Sequence, residues 1–551
     1  MNFDPVLIHD RMQPMKARGL WRDETINQHF QRALQDCPDK IAIVSYRAGS
    51  GKVFRLSYRE LDDRVDRIAR GLVALGVQAS DVVSYQLPNC WEFIALALAC
   101  ARIGAAANPV MPIFRQHELN FMLNFGESRV FVVPKTFRNF DYEEMARGML
   151  PGLPNLKQLV VIGGDGEDSF DTLLLGSDTP PLQATGIAPD EVFLLMYTSG
   201  TTGGPKGVMH TSNTLFSNLH SYRETMELSE QDIILGASPM AHLTGFGYLA
   251  MLPVVLQSTT VLMDVWDPKQ ALRIVRDEGV TFSMASATFV ADLCFATEEG
   301  EATSPRFTKF CCAGAPIPPV VVERAHRLMG LTVCSAWGLT ETGAITVTPP
   351  ARGLEKSGNS DGYPLPGIDV KVVDFNNEEL PAGESGRLLI RGSSLFAGYL
   401  KRADLNGVDA EGWFDTGDLA FIDDEGYIRI SGRSKDVVIR GGENIPVVDI
   451  ENLLYKHPSI ALVAVVGYPD RRFGERVCAF VALKPGCSFT FEDMTAYLNE
   501  QQLTKTYFPE RLEVLEQMPQ TPSGKLQKFK LREMAKAFGD AAHDAVDSSR
   551  N

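Results

Sequence analysis

Four glycines, four Ser/Thr hydroxyls and a lysine fall within eleven residues, Tyr197-Thr198-Ser199-Gly200-Thr201-Thr202-Gly203-Gly204-Pro205-Lys206-Gly207. Glycines let a backbone take positive φ and come close to a ligand. Hydroxyls and a lysine offer donors and positive charge, which is what a polyphosphate needs. The segment is not a Walker A loop, because Lys206 stands between Pro205 and Gly207 rather than before Ser or Thr. A solvated Gly/Thr loop is the bland alternative. The length, the order and the apolar run at 192–197 just before it weigh against that alternative.

Further along lie residues that each admit a structural reading when taken alone. Glu341 follows Trp337-Gly338-Leu339-Thr340 and could cap a helix, and Trp337 could be a core aromatic. Asp418 follows a Thr-Gly turn that it could simply cap. Lys525 sits in Pro522-Ser523-Gly524-Lys525, where most lysines are solvated. His242, amid apolar neighbours, reads first as a satisfied core histidine.

Taken together they read differently. The glycine loop, Ala336-Trp337-Gly338-Leu339-Thr340-Glu341-Thr342, Gly412-Trp413-Phe414-Asp415-Thr416-Gly417-Asp418, Gly432-Arg433-Ser434-Lys435-Asp436, Gly441-Gly442-Glu443-Asn444-Ile445 and Thr521-Pro522-Ser523-Gly524-Lys525 occur in that order. This series resembles the adenylate-forming superfamily: acyl-CoA synthetases, adenylation domains of peptide synthetases and luciferases. The resemblance runs from about Glu24 to Arg532.

The resemblance implies ATP, Mg²⁺ and CoA, and an acyl-adenylate made when a carboxylate displaces pyrophosphate. Two anions must meet, so cations and preorganised donors are required. Thr198, Ser199, Gly200, Thr201, Thr202, Gly203 and Lys206 would hold the β- and γ-phosphates. Thr340 would contact the α-phosphate and Glu341 would ligate Mg²⁺. Gly314, Ala315, Pro316, Trp337 and Gly338 would form the adenine site. Asp418 would take the ribose hydroxyls, with Arg433 close by. Lys525 would neutralise charge between the carboxylate and the α-phosphate. Lys435 matches a hinge, and Gly441 and Gly442 would line a pantetheine tunnel after the small domain rotates. One departure stands out: Lys505-Thr506-Tyr507-Phe508-Pro509 lacks the second lysine of the family's Lys-Tyr-Lys run.

The acyl pocket is expected at His242, Phe246, Gly247, Ala287, Thr288, Phe289 and Ala313, with His242 as a gate. These residues offer no countercharge to an amine or a second carboxylate, which suits an aliphatic, alicyclic or aromatic acid. The runs Arg18-Gly19-Leu20-Trp21-Arg22-Asp23 and 240–246 resemble ligases for short- and medium-chain fatty acids and cyclohexanecarboxylate. Transfer to a carrier-protein thiol is the second reading, and a non-catalytic nucleotide binder the third.

These residues need a scaffold to position them. A chain of 551 residues, 44% apolar, exceeds the roughly 250–300 residues of one core. Runs at 82–87, 129–133, 158–162, 192–197 and 260–263 read as strands with helices between them. Leu61, Val65, Ile68 and Leu72 form one face of a helix capped by Ser57 and Glu60. The expected fold is α/β plus α+β: an N-terminal domain over 1–432, with layered sheets, helices and a small β-barrel-like subdomain, then a small mobile domain over 433–537. A disordered tail is expected over 538–551.

Lys plus Arg number 53 against 69 Asp plus Glu, a net charge of −16, which argues against a nucleic-acid partner. The nine scattered cysteines read as reduced structural thiols. Neither a leader nor a transmembrane segment is expected: the apolar run at 93–101 is too short to span a bilayer. A cytoplasmic enzyme is the expectation, and a homodimer is left open.

Overall fold

The computed structural model describes the chain apart from residues 177–178, 181–185, 199–204, 316, 375, 434–437, 441–442, 446, 471–472, 502, 504, 521–525 and 548–551. At 433, 439, 443, 444, 449, 474 and 539–547 the backbone alone is described. The chain divides into two compact units. One comprises Met1–Asp369, Arg391–Phe414 and Gly426–Ile428, and the other comprises Val370–Ile390, Asp415–Glu425 and Arg429–Asn551.

Among the described residues the first unit carries a nine-stranded sheet. Its order is Tyr363–Pro364, Gly343–Val347, Thr332–Leu339, Lys309–Ala313, Phe282–Ala285, Ile233–Gly236, Thr259–Met263, Ile41–Tyr46 and Val53–Ser57. Neighbours from Thr332–Leu339 through to Ile41–Tyr46 are parallel, and the outer pairs are antiparallel. A seven-stranded sheet runs Gly398–Tyr399, Lys206–Thr211, Val192–Thr198, Ala106–Pro109, Val82–Tyr85, Ser128–Pro134 and Gln158–Ile162. Parallel strands need cover on both faces. Accordingly every residue of Thr259–Met263 and of Phe282–Ala285 is buried.

The helices form as their sequences dictate. In Tyr58–Ala74 the Ser57 hydroxyl accepts from Glu60 N while Glu60 accepts from Ser57 N, and Leu61, Val65, Ile68 and Leu72 are buried. Removing such a cap costs about 1 kcal/mol. The helix Trp91–Arg102 buries every residue from Trp91 to Ala101; all but Glu92 are apolar, and Glu92 pairs with Arg47. No helix among the described residues is long and apolar enough to cross a membrane.

In the second unit Ile368–Val373, Gly386–Gly392, Phe414–Ile422 and Ile428–Arg433 make a four-stranded sheet. A second sheet pairs Ile460–Asp470 with Gly474–Leu483 antiparallel and Arg511–Val514 parallel to the latter. Helices Val447–Tyr455 and Phe491–Glu500 bury Ile450, Leu454, Met494 and Leu498 with Val465 and Val477.

Two features differ from the sequence expectation. The small β sheet groups with the C-terminal segment and not with residues 1–369, because strand pairing ties 370–390 to the strand that ends at Arg433. Residues 538–547 of the tail expected to be disordered over 538–551 instead continue the helix Lys528–Asp547, anchored where Leu531, Ala535 and Phe538 pack on the second unit's core.

Candidate active site

The glycine loop is the connection of a hairpin. Strand Val192–Thr198 precedes it and strand Lys206–Thr211 follows, with Thr198 and Lys206 paired across its mouth. Ser199, Gly200, Thr201, Thr202 and Gly203 lie outside the described residues. The Thr198 hydroxyl is buried without a hydrogen-bond partner among the described residues. A buried polar group without a partner is costly, and an arriving phosphate oxygen would satisfy this one.

Sequence reading missed the residue that joins the hairpin to Glu341. The Lys206 ammonium donates to the Tyr399 hydroxyl at 2.8 Å, and that hydroxyl donates to Glu341 Oε1 at 2.6 Å. Burial first, then the nearby Glu341 carboxylate, pushes the Tyr399 hydroxyl above the ordinary tyrosine range, so it remains a donor. Glu341 Oε2 keeps no hydrogen bond among the described residues. Glu341 is only 8% exposed, and its main-chain oxygen accepts from Phe396 N at 2.7 Å. A carboxylate held at one oxygen and open at the other fits a Mg²⁺ ligand that shares its ion with phosphate.

Tyr399 is placed by strand pairing: Gly398–Tyr399 lies antiparallel to Val208 and Met209. Gly398 has φ +128°, and a side chain there would also meet Asn406. The Gly398-Tyr399 pair was the available signal, since glycine in a strand often marks a close backbone approach. Arg11 holds the segment before it, donating to the oxygens of Leu395 and Phe396, both at 2.6 Å. Burial lowers the Arg11 guanidinium to about 9.

Thr340 and Glu341 sit at a reversal of the chain between Thr332–Leu339 and Gly343–Val347. A Cβ on Gly338 would lie 2.0 Å from Gly343 O, so only glycine fits there. His210 supports this turn from the hairpin strand. Its Nε2 is 2.7 Å from Thr340 O, which as an acceptor requires the N–H at Nε2. Burial holds His210 down at about 4, so it is neutral at pH 7, although the Thr340 oxygen pulls the other way.

The remaining expected residues of this unit collect at the carboxyl ends of neighbouring parallel strands, where open α/β sheets bind ligands. His242 follows Ile233–Gly236, Ala287 follows Phe282–Ala285, and Ala313, Gly314 and Ala315 end or follow Lys309–Ala313. Ala313 pairs with Ala336, next to half-buried Trp337 and exposed Gly338. Gly314 and Ala315 are exposed, and Pro316 lies outside the described residues. His242 is exposed and not a core histidine, and its Nδ1 accepts from Thr244 N. Three acyl-site candidates sit elsewhere. Phe246 is fully buried near Phe93 and Phe193, Gly247 is buried near Leu215 and Leu219, and the Phe289 ring lies 4.6 Å from that of Trp266. Phe246 and Gly247 are thus buried, while Phe289 is half-buried against the core.

In the second unit Asp418 is 4% exposed, too buried for a solvated turn acid. Gly417 N donates to Asp415 Oδ1 and Asp418 N to Thr416 Oγ1, which fixes the turn. The Lys505–Tyr507 turn is tied down by Arg440, which donates to Thr506 O and pairs with Glu510 at 2.6 Å. The Arg433 side chain and Lys435, Gly441, Gly442 and Lys525 lie outside the described residues.

Comparison with known proteins bears on this arrangement. The family model described as AMP-binding enzyme matches residues 30–400, and AMP-binding enzyme C-terminal domain matches residues 449–525. A medium-chain fatty-acid–CoA ligase of Escherichia coli (strain K12) is 33% identical over 528 residues, covering 95% of this chain and 92% of that one. A salicylyl-CoA synthase / salicylate adenylyltransferase of a Streptomyces species is 31% identical over 539 residues, covering 96% of each. The crystal structure of ATP-bound MatB from Rhodopseudomonas palustris superposes with a TM-score of 0.81 at 28% identity, covering 93% of this chain and 99% of that one.

Proposed function

We propose that this protein, which belongs to the AMP-binding enzyme family and is an AMP-forming acid–CoA ligase acting through an acyl-adenylate, activates an aliphatic or alicyclic acid. The class includes short- and medium-chain fatty acids and cyclohexanecarboxylate. One observation carries the choice of an acid without a second charge. The acyl candidates at the carboxyl strand ends, Ala287 and Ala313, are small and apolar, and the neighbouring polar feature is an uncharged hydroxyl pair, Ser286 and Thr288, 2.7 Å apart. An acid bearing a second charge would find no partner there. The likeness to a medium-chain fatty-acid–CoA ligase supports the same reading, and the likeness to a salicylyl-CoA synthase keeps an aromatic acid as the alternative.

The reaction follows from the assigned roles. The substrate carboxylate attacks the α-phosphorus of ATP and pyrophosphate leaves. Lys206 and the hydroxyls of residues 198–202 hold the departing phosphates, and Thr340 orients the α-phosphate. A Mg²⁺ ion held by Glu341 would offset charge on the phosphate oxygens. Lys525 neutralises the approach of the two anions, and Asp418 takes the ribose hydroxyls with Arg433 beside it. Trp337, Gly338 and residues 314–316 receive adenine, and His242 gates the acyl entrance.

The segment beyond 432 then turns about Lys435, and Gly441 and Gly442 admit pantetheine. The CoA thiolate attacks the acyl carbonyl and AMP leaves. The reading places the enzyme in the cytoplasm.

The test is CoA-dependent AMP formation with octanoate, cyclohexanecarboxylate, benzoate, salicylate and acetate. The proposal expects octanoate or cyclohexanecarboxylate to give the highest kcat/KM. Preference for benzoate or salicylate would overturn it in favour of an aromatic acid ligase. Turnover with a phosphopantetheinylated carrier protein but not with CoA would overturn the acceptor.

A further inference from the structure

A second group of chemically capable side chains lies outside the adenylation machinery. Glu24 precedes the helix Ile26–Asp36, which carries His29, while His220 comes from the helix Ser212–Thr225. Their ligand atoms lie within 4.8 Å of one another. His29 and His220 are 3% and 7% exposed. Nε2 of His29 and both ring nitrogens of His220 are buried without a hydrogen-bond partner among the described residues. Glu24 divides its work: Oε1 accepts from Arg32 at 2.6 Å, while Oε2 faces His220 Nε2 at 3.4 Å and His29 Nε2 at 3.6 Å.

At 3.4 and 3.6 Å those separations exceed the 2.7–3.2 Å of ordinary N–H···O hydrogen bonds. They match the spacing of ligands around a metal. A tetrahedral ion with bonds of about 2.0–2.1 Å sets its ligand atoms about 3.3 Å apart. We propose that Glu24, His29 and His220 bind a divalent transition-metal ion, with Zn²⁺ the best match to two imidazoles and a carboxylate.

The protonation states agree. Burial lowers His29 to about 3 and His220 to about 4, so both imidazoles are neutral near pH 7, the form that ligates. Arg32, Arg22 and Arg223 contribute opposing positive charge, and the Glu24 carboxylate offsets part of it. Glu24 is 24% exposed, whereas the facing imidazole nitrogens are buried.

The ion would staple the N-terminal segment to the helix that follows the hairpin strand carrying Lys206 and His210. The surroundings already make that connection without metal. Asp23 and Asn213 exchange hydrogen bonds, and Lys16 pairs with both Asp23 and Asp190. The ion would reinforce a junction that these contacts already make.

The test uses the full-length protein, stripped with a chelator and titrated with Zn²⁺ by calorimetry and metal analysis, alongside His220→Gln and Glu24→Gln. The wild type is expected to bind one equivalent, and each variant to bind it more than about 100-fold more weakly, beyond the loss expected from an outer partner alone. Co²⁺ should give the intense visible bands of a four-coordinate ion in the wild type and lose them in both variants. Glu24→Gln keeps both histidines and alters a partly exposed residue, so it tests the site even if His220→Gln misfolds. Zn²⁺ taken up with equal stoichiometry and affinity by all three proteins, or by none, would overturn the site.

Discussion

The Tyr399 hydroxyl links Lys206 to Glu341, accepting at 2.8 Å from the ammonium and donating at 2.6 Å to the carboxylate. The group assigned to the leaving phosphates and the group assigned to Mg²⁺ are thus coupled by one phenol. Tyr399→Phe should keep the fold and lose this link. A hydrogen bond to a charged group contributes about 1.5–3 kcal/mol, so kcat/KM for Mg·ATP should fall roughly 10- to 100-fold, with a raised Mg²⁺ requirement. Steady-state kinetics across Mg²⁺ concentration would check this, and unchanged kinetics would remove Tyr399 from the site.

Gly338→Ala should be far worse than its size suggests. The added methyl would lie 2.0 Å from Gly343 O, a backbone atom that cannot move without opening the turn that presents Thr340 and Glu341. Overpacking of this kind costs about 1–3 kcal/mol or more. Urea denaturation should show that loss, together with weaker ATP binding. A variant of normal stability and affinity would show that the turn tolerates a side chain.

His210 gives a pH dependence with a definite sign. Its folded value of about 4 lies below the ordinary 6.5, so the unfolded state binds a proton first. The stability it confers is complete above about pH 6.5 and is lost as pH falls towards 4. Between pH 6.5 and 5 the loss is about 1–2 kcal/mol. Denaturation at several pH values should show His210→Gln with a shallower acid slope than the wild type, and an identical slope would mean that His210 is not held neutral.

The proposed role of Lys525 separates the two half-reactions. Lys525→Ala should slow adenylate formation by more than about 100-fold, because a charge aimed at the reacting phosphate is lost. Thioester formation from supplied acyl-adenylate should be nearly unaffected. Pyrophosphate exchange and single-turnover acyl transfer would read the two steps, and equal loss in both would refute the assignment.

Much of this was legible in the chain itself. The glycine loop, the capping pair Ser57 and Glu60, the alternation of strand and helix, and the order of motifs all reside in neighbouring residues. Local backbone preference and side-chain period encode such features directly. Three-dimensional pairing decided the rest. Tyr399 meets Glu341 and Lys206, 58 and 193 positions away, because Gly398–Tyr399 adds to the hairpin edge. Arg11 reaches across 385 positions to Phe396. Phe246, expected beside the acyl pocket, is fully buried, and His242, expected as its gate, is exposed, since which face of a segment is covered depends on what packs against it. Neighbouring residues thus carry the motifs and the elements that bear them, whereas strand pairing and burial bring together side chains whose separation leaves no periodic trace.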